Sequence, residues 1–136
     1  MDAIGHVEAE EATLLDRAST VLLRTLALIF MGLSLIVWSL TIGYLDENVR
    51  FDLLGKGARL YLATLCVLFP VVAVGLWTAL PWGRVVWFAA IAIHMIALGA
   101  YGLTLAGGWR VLYAHLASLA LYLALRAAAR LVAKKR

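Results

Sequence analysis

The sequence predicts an all-α membrane protein: a transmembrane four-helix bundle of up-down-up-down order, with a short N-terminal amphipathic helix. Three observations predict it. First, 65% of the 136 residues are hydrophobic and the mean hydropathy is +0.95, whereas soluble domains run at about 45–50% apolar. Second, four apolar runs each approach the roughly 20 residues that cross a hydrocarbon core about 30 Å thick. Third, the later runs are joined by short links rich in proline and glycine, which makes consecutive helices antiparallel neighbours.

The chain opens with an acidic stretch, "HVEAEEATLLDRAST", in which Leu14, Leu15, Ala18 and Leu22 recur at helical spacing. We read a short amphipathic helix running into the first span; a solvated acidic tail is the alternative. The acidic start and the late, long apolar run do not match a secretory signal peptide. His6 stands near Glu8 and Glu10 and is read as a solvated side chain rather than a metal ligand. The chain divides into an acidic N-terminal segment (1–21), a membrane domain (22–131) and a basic tail (132–136).

The first span covers about residues 22–44, the second 60–80, the third 85–106 and the fourth 110–131. The first connection, "LDENVRFDLLGKGAR", is mixed in character. Phe51, Leu53 and Leu54 stand among charges there, as in a segment lying along the membrane interface. Pro70 falls inside the second span, removes one backbone donor and is expected to kink that helix. The turn between spans two and three is "LPWGR", and "GGWR" is read as the turn between spans three and four. The single cysteine, Cys66, has no partner for an intrachain disulfide and says nothing of redox compartment.

Charge gives an orientation. Arg17, Arg24, Arg84, Arg126, Arg130, Lys134, Lys135 and Arg136 fall on the side of the termini, and Arg50, Lys56, Arg59 and Arg110 on the other. The positive-inside rule then places both termini in the cytoplasm. Trp82 and Trp87 are read as flanking the inner turn, and Tyr44, Tyr61, Trp109 and Tyr113 as an outer aromatic belt. The basic tail, with Arg126, Arg130, Lys134, Lys135 and Arg136, suits contact with anionic lipid. The acidic head emerges on the same face and offers it a second partner. Nothing in fold or aromatic pattern points to nucleic acid.

The polar residues inside the spans are the candidate functional set. His94, Tyr101 and Thr104 share a face of the third helix, and His115, Ser118, Tyr122 and Arg126 share a face of the fourth. If the hairpin turns at Gly108, His94 lies level with Tyr122 and Tyr101 level with His115. Each imidazole can then satisfy a phenol where water is absent. Interhelical hydrogen bonds are the first reading of these pairs. A proton or solute path is a second, although no Asp or Glu lies within the spans as bounded above. A metal or tetrapyrrole site on His94 and His115 is a third. "AIAIH", with small Ala90 one turn before His94, is similar to the motif of bacterial light-harvesting polypeptides. Against a haem shared by both histidines, this register separates them in depth by about 9 Å.

Small residues make a further pattern. Ala117, Ala120, Ala124 and Ala127 line one face of the fourth helix, and Gly75 with Ala79 forms a small-xxx-small pair in the second. Such faces let backbones approach closely in lipid. Packing within the bundle is the first use expected, and packing on another subunit the second. There is no HExxH, no CxxC, no phosphate-binding glycine loop and no nucleophile elbow. The reading is therefore of a non-enzymatic protein without cofactor or resident metal. It is expected to act as an accessory or scaffold subunit that packs on a membrane partner or on copies of itself. Its rival is a transport or tetrapyrrole-binding bundle built on His94 and His115.

The middle of the chain resembles a known family. Phe51–Leu54, "LFPVVAVGLW" (68–77) and the Trp82–Gly83 turn, within "RFDLLGKGARLYLATLCVLFPVVAVGLWTALPWGRVVW", resemble DUF6163, small bacterial four-span membrane proteins of unknown function. The likeness runs loosely through the other spans and fades at both tails. It implies an inner-membrane location in a Gram-negative bacterium and supplies no activity and no catalytic residues. Members of that family tend to carry an acidic residue near the position of His94. The resemblance thus implies a chemically variable position there and weakens a strict ligand role.

Overall fold

The computed structural model describes residues 3–45, 50–101 and 108–134, with side chains described for 14–45, 50–99 and 109–134. Four helices follow in order: α1 (Ala3–Thr41), α2 (Lys56–Trp77), α3 (Pro81–Tyr101) and α4 (Gly108–Lys134). All four are long and apolar enough to cross a membrane. They pack as a bundle in which α1 lies against both α2 and α4, and α2 also lies against α3. The remaining side of the square, α3 against α4, is the lightest contact.

The first helix is continuous from the acidic head into the span, 39 residues without a break. Its inward face is rotated from the one that spacing suggests, which holds for Leu22, packed on the core, and for half-buried Leu15 but not for Leu14 and Ala18. Ser19, Leu23, Leu26, Ala27, Phe30, Ser34 and Val37 are buried, while Leu14 and Ala18 are exposed. Ser19, whose hydroxyl donates to the Leu15 carbonyl at 2.9 Å, tolerates burial because that bond stays within its own helix. The helix ends in a Schellman arrangement. Tyr44 N–H donates to Ser39 O at 2.9 Å and Gly43 N–H to Leu40 O at 3.0 Å, with Gly43 at φ 77°. Glycine adopts that left-handed conformation without a side-chain penalty.

Beyond it, Leu54 packs on the core, whereas Leu53 is exposed. Phe51 lies under the Arg59 guanidinium at 5.9 Å. Arg50 Nε donates to Asp52 at 2.8 Å. That hydrogen bond holds the Asp52 carboxyl below the ordinary aspartate range and raises Arg50 in turn. The contribution has the sign of a depressed carboxyl: present at neutral pH and lost as pH falls through the lowered value.

The second helix buries Tyr61, Leu62, Leu65, Cys66, Phe69, Val72, Ala73, Gly75 and Leu76, a stripe at helical period. Pro70 lies inside it and has no N–H to give the carbonyl four residues earlier, that of Cys66. Trp38 Nε1 of α1 donates to that carbonyl at 3.1 Å. Thr41 Oγ1 also lies 3.2 Å from Cys66 Sγ. The group freed by proline is thus satisfied across the helix pair rather than by water.

The second turn is three residues long. Ala79 takes φ 54°, a left-handed conformation that costs a non-glycine residue about 1–2 kcal/mol. Pro81 then opens α3 at its first position, where its missing N–H is harmless. Ala79 is therefore a turn residue and not half of a small-residue packing pair. The close approach is made by Gly75 and Gly83. A Cβ built on Gly75 would stand 2.6 Å from Gly83 Cα, and one on Gly83 would collide with the Gly75 backbone.

Gly83→Ala must separate α2 from α3 and should lower unfolding stability in detergent by about 1–3 kcal/mol. Gly32→Ala, at a position open on all sides, should not, and Ala79→Gly should raise stability by about 1 kcal/mol. In carboxyl-detected NMR, Asp52 should titrate below the ordinary aspartate value and return to it in Arg50→Gln.

Candidate functional site

Every helix contributes to a run of touching aromatic and imidazole side chains inside the bundle. Tyr61 comes from α2, His94 from α3, His115 from α4 and Phe30 from α1. His94 is fully buried and His115 is 4% exposed. The Tyr61 hydroxyl lies 2.9 Å from His94 Nδ1; the phenol donates when the imidazole proton sits on Nε2. The His94 and His115 rings meet edge to face, centroids 5.5 Å apart and planes at 80°. Phe30 stacks on His115 at 5.3 Å, and Phe69 meets Phe30 edge-on at 5.4 Å. His115 Nε2 is buried and has no hydrogen-bond partner among the described residues.

This set differs from the one expected. His94 pairs with Tyr61, not with Tyr122. Tyr61 belongs to no outer belt; it is 5% exposed and faces the core. Tyr122 instead accepts a hydrogen bond from Arg84 at 3.2 Å and meets Trp87 edge-on at 5.9 Å. Trp87, read as an interfacial anchor, is fully buried. Ser118 donates to the His115 carbonyl at 2.8 Å, within its own helix. Tyr101 closes α3, but its side chain, like those of His6 and Thr104, lies outside the described residues, so the proposed Tyr101–His115 pair lies outside them too.

A register error explains the exchange of partners. The two ring contacts between α3 and α4, Trp87–Tyr122 and His94–His115, are symmetric about a point between positions 104 and 105, not about Gly108. Gly108 begins α4 and α3 stops at Tyr101. Sliding one helix by seven residues, two turns or about 10 Å, brings His115 level with His94. The depth argument against a shared haem therefore fails, because the two imidazoles are level. Their direct ring contact nevertheless leaves no layer between them for a macrocycle. What the cluster can do chemically is share a proton between phenol and imidazole, and hold four helices in one rotation.

A second group of polar residues gathers where α3 begins and α4 ends. Arg126 pairs with Asp16 of α1 at 3.2 Å, so head and tail do meet there. Arg130 and Lys134 are exposed, and Lys135 and Arg136 lie outside the described residues. Arg84, read from sequence only as a topology charge, joins this group. Arg24 lies over the Trp77 ring at 5.7 Å.

The alanines of α4 point away from the bundle. Leu112, His115 and Tyr122 are buried, whereas Ala117, Ala120, Ala124 and Ala127 are all exposed on the opposite side of the helix. Packing within the bundle, the first use expected of them, does not occur.

A family model described as a family of unknown function, DUF6163, matches residues 17–133. No curated protein and no solved structure matches the chain.

A double-mutant cycle checks the core pairing. Tyr61→Phe and His94→Leu should couple by about 0.6–1.7 kcal/mol in unfolding stability. His94→Leu and Tyr122→Phe should add to within about 0.5 kcal/mol.

Proposed function

The chain belongs to the DUF6163 family of unknown function, and from that premise and its fold we propose a non-catalytic accessory or scaffold protein of the bacterial inner membrane. In this reading α4 docks on a transmembrane helix of a partner or of a second copy. The observation that carries the reading is the state of α4. Half of the apolar window of α2 is buried inside the bundle, but only 11% of that of α4. Its outermost stripe is alanine at 117, 120, 124 and 127, exposed along its length. In lipid, helices gain little from hydrophobicity against each other, and small residues that permit close backbone approach take over that role. A helix meant only for lipid has no use for such a seam. The core cluster supports the same reading, since the Tyr61–His94 bond and the ring stack fix helix rotation and leave the alanine face presented in one direction.

Charge supports an orientation with both termini in the cytoplasm. In a Cys66→Ala background, Lys56→Cys should react with an impermeant thiol reagent in intact cells; labelling only after lysis would reverse the topology. A photo-crosslinking residue at position 124 should capture one discrete protein adduct in native membranes. The same residue at Val67, on the exposed face of α2, should capture none. Equal adducts at both positions, or none at 124, would remove the docking reading.

A further inference from the structure

We propose that the cleft between α3 and α4 is a binding site for an anionic phospholipid, with the phosphate held by Arg84, Arg126 and Arg130. This inference does not depend on the accessory reading. The cleft encloses about 610 Å³ and draws its walls from both helices. Three guanidiniums line it and, among the described residues, no carboxylate does. Arg126 has a partner outside the cleft, Asp16, at 3.2 Å. Arg84 and Arg130 have no carboxylate partner among the described residues. Arg126 and Arg130 are four residues apart on one helix, where like charges repel. An anion between them and Arg84 turns that repulsion into attraction.

The donors are also positioned rather than trailing. Arg84 is half-buried and donates to the Tyr122 hydroxyl at 3.2 Å, and Tyr122 is itself 6% exposed. That bond aims a planar, five-donor group at the cleft, the geometry suited to phosphate. Pro81, the first residue of α3, is among the lining residues, so the partly positive N-terminal end of that helix borders the same space. Among the described residues the site carries three arginines against one aspartate, a surplus that one doubly charged or two singly charged headgroups would neutralise.

The apolar walls decide between a lipid and a free anion. Phe88 and Leu123 line the same cleft and are exposed, each about one turn from Arg84 or Arg126 toward the middle of its helix. A free phosphate has no use for them. An acyl chain lies along them while its headgroup meets the arginines at the level where both helices leave the hydrocarbon. Basic pockets between transmembrane helices recognise anionic headgroups by this combination.

The test uses the full chain in mild detergent, with native mass spectrometry counting bound lipid. Phosphatidylglycerol and phosphatidylcholine of equal chain length are the probes, and inorganic phosphate and glycerol phosphate the competitors. Phosphatidylglycerol should bind at least about tenfold more tightly than phosphatidylcholine, a margin of about 1.4 kcal/mol. Arg84→Gln and Arg130→Gln should each bring it toward the phosphatidylcholine level, and Arg110→Gln, at the other end of α4, should not. Arg130 is exposed, so its variant keeps the test decisive if Arg84→Gln fails to fold. Unchanged binding in Arg130→Gln, equal loss in Arg110→Gln, or displacement by either competitor would overturn the lipid site.

Discussion

A bundle that excludes water has to answer its own polar groups, and the bond from Trp38 Nε1 to the Cys66 carbonyl is where that constraint is most visible. Pro70 takes one donor out of α2 inside a helix long and apolar enough to span a membrane. In water the freed carbonyl would be solvated; in hydrocarbon it costs several kcal/mol if left alone. An indole from the neighbouring helix supplies the missing donor, and Thr41 sits beside the thiol of the same residue. The pairing of α1 with α2 is thereby fixed in depth. Tyr61 and His94 do the same for α2 and α3 one level away. The rest of the architecture hangs on those two cross-helix bonds and on the Gly75–Gly83 approach that lets α2 and α3 touch backbone to backbone.

Against that rigid trio, α4 is held differently. It leans mostly on α1, meets α3 through two ring contacts, and keeps most of its surface outside. Its polar groups are satisfied locally or at its ends: Ser118 on its own backbone, Tyr122 on Arg84, Arg126 on Asp16. His115 is the exception, buried by Phe30 and His94 with its Nε2 lacking a hydrogen-bond partner among the described residues. Burying a polar atom without a partner carries a penalty of about 1–3 kcal/mol, so the ring packing around it has to offset that cost.

The outer face of α4 and the arginine cleft are neighbours, since Ala127 belongs to both the alanine stripe and the cleft lining. A lipid seated in the cleft would therefore border any helix that docks on the stripe. In a membrane, a bound lipid and a docked helix compete for or share the same few side chains. The arrangement links the basic end of the chain to its apolar seam.

Much of this was legible in the chain alone. Length and hydropathy of the runs determined four spanning helices, because the hydrocarbon thickness admits few other solutions. Pro81 marked a helix boundary through its backbone preference, which acts locally. What stayed hidden was everything that depends on how far one helix slides past another. "GGWR" suggested a turn at Gly108, yet that residue starts α4, and the seven-residue difference puts His115 rather than Tyr122 level with His94, and Trp87 level with Tyr122. Tyr61 and Trp87 looked like interfacial aromatics because composition cannot say which way a ring turns. The alanines announced a close-packing face but not its direction. Periodicity is a property of one helix, fixed by 3.6 residues per turn; register, rotation and the choice of neighbour belong to pairs of helices, and only the tertiary structure decides them.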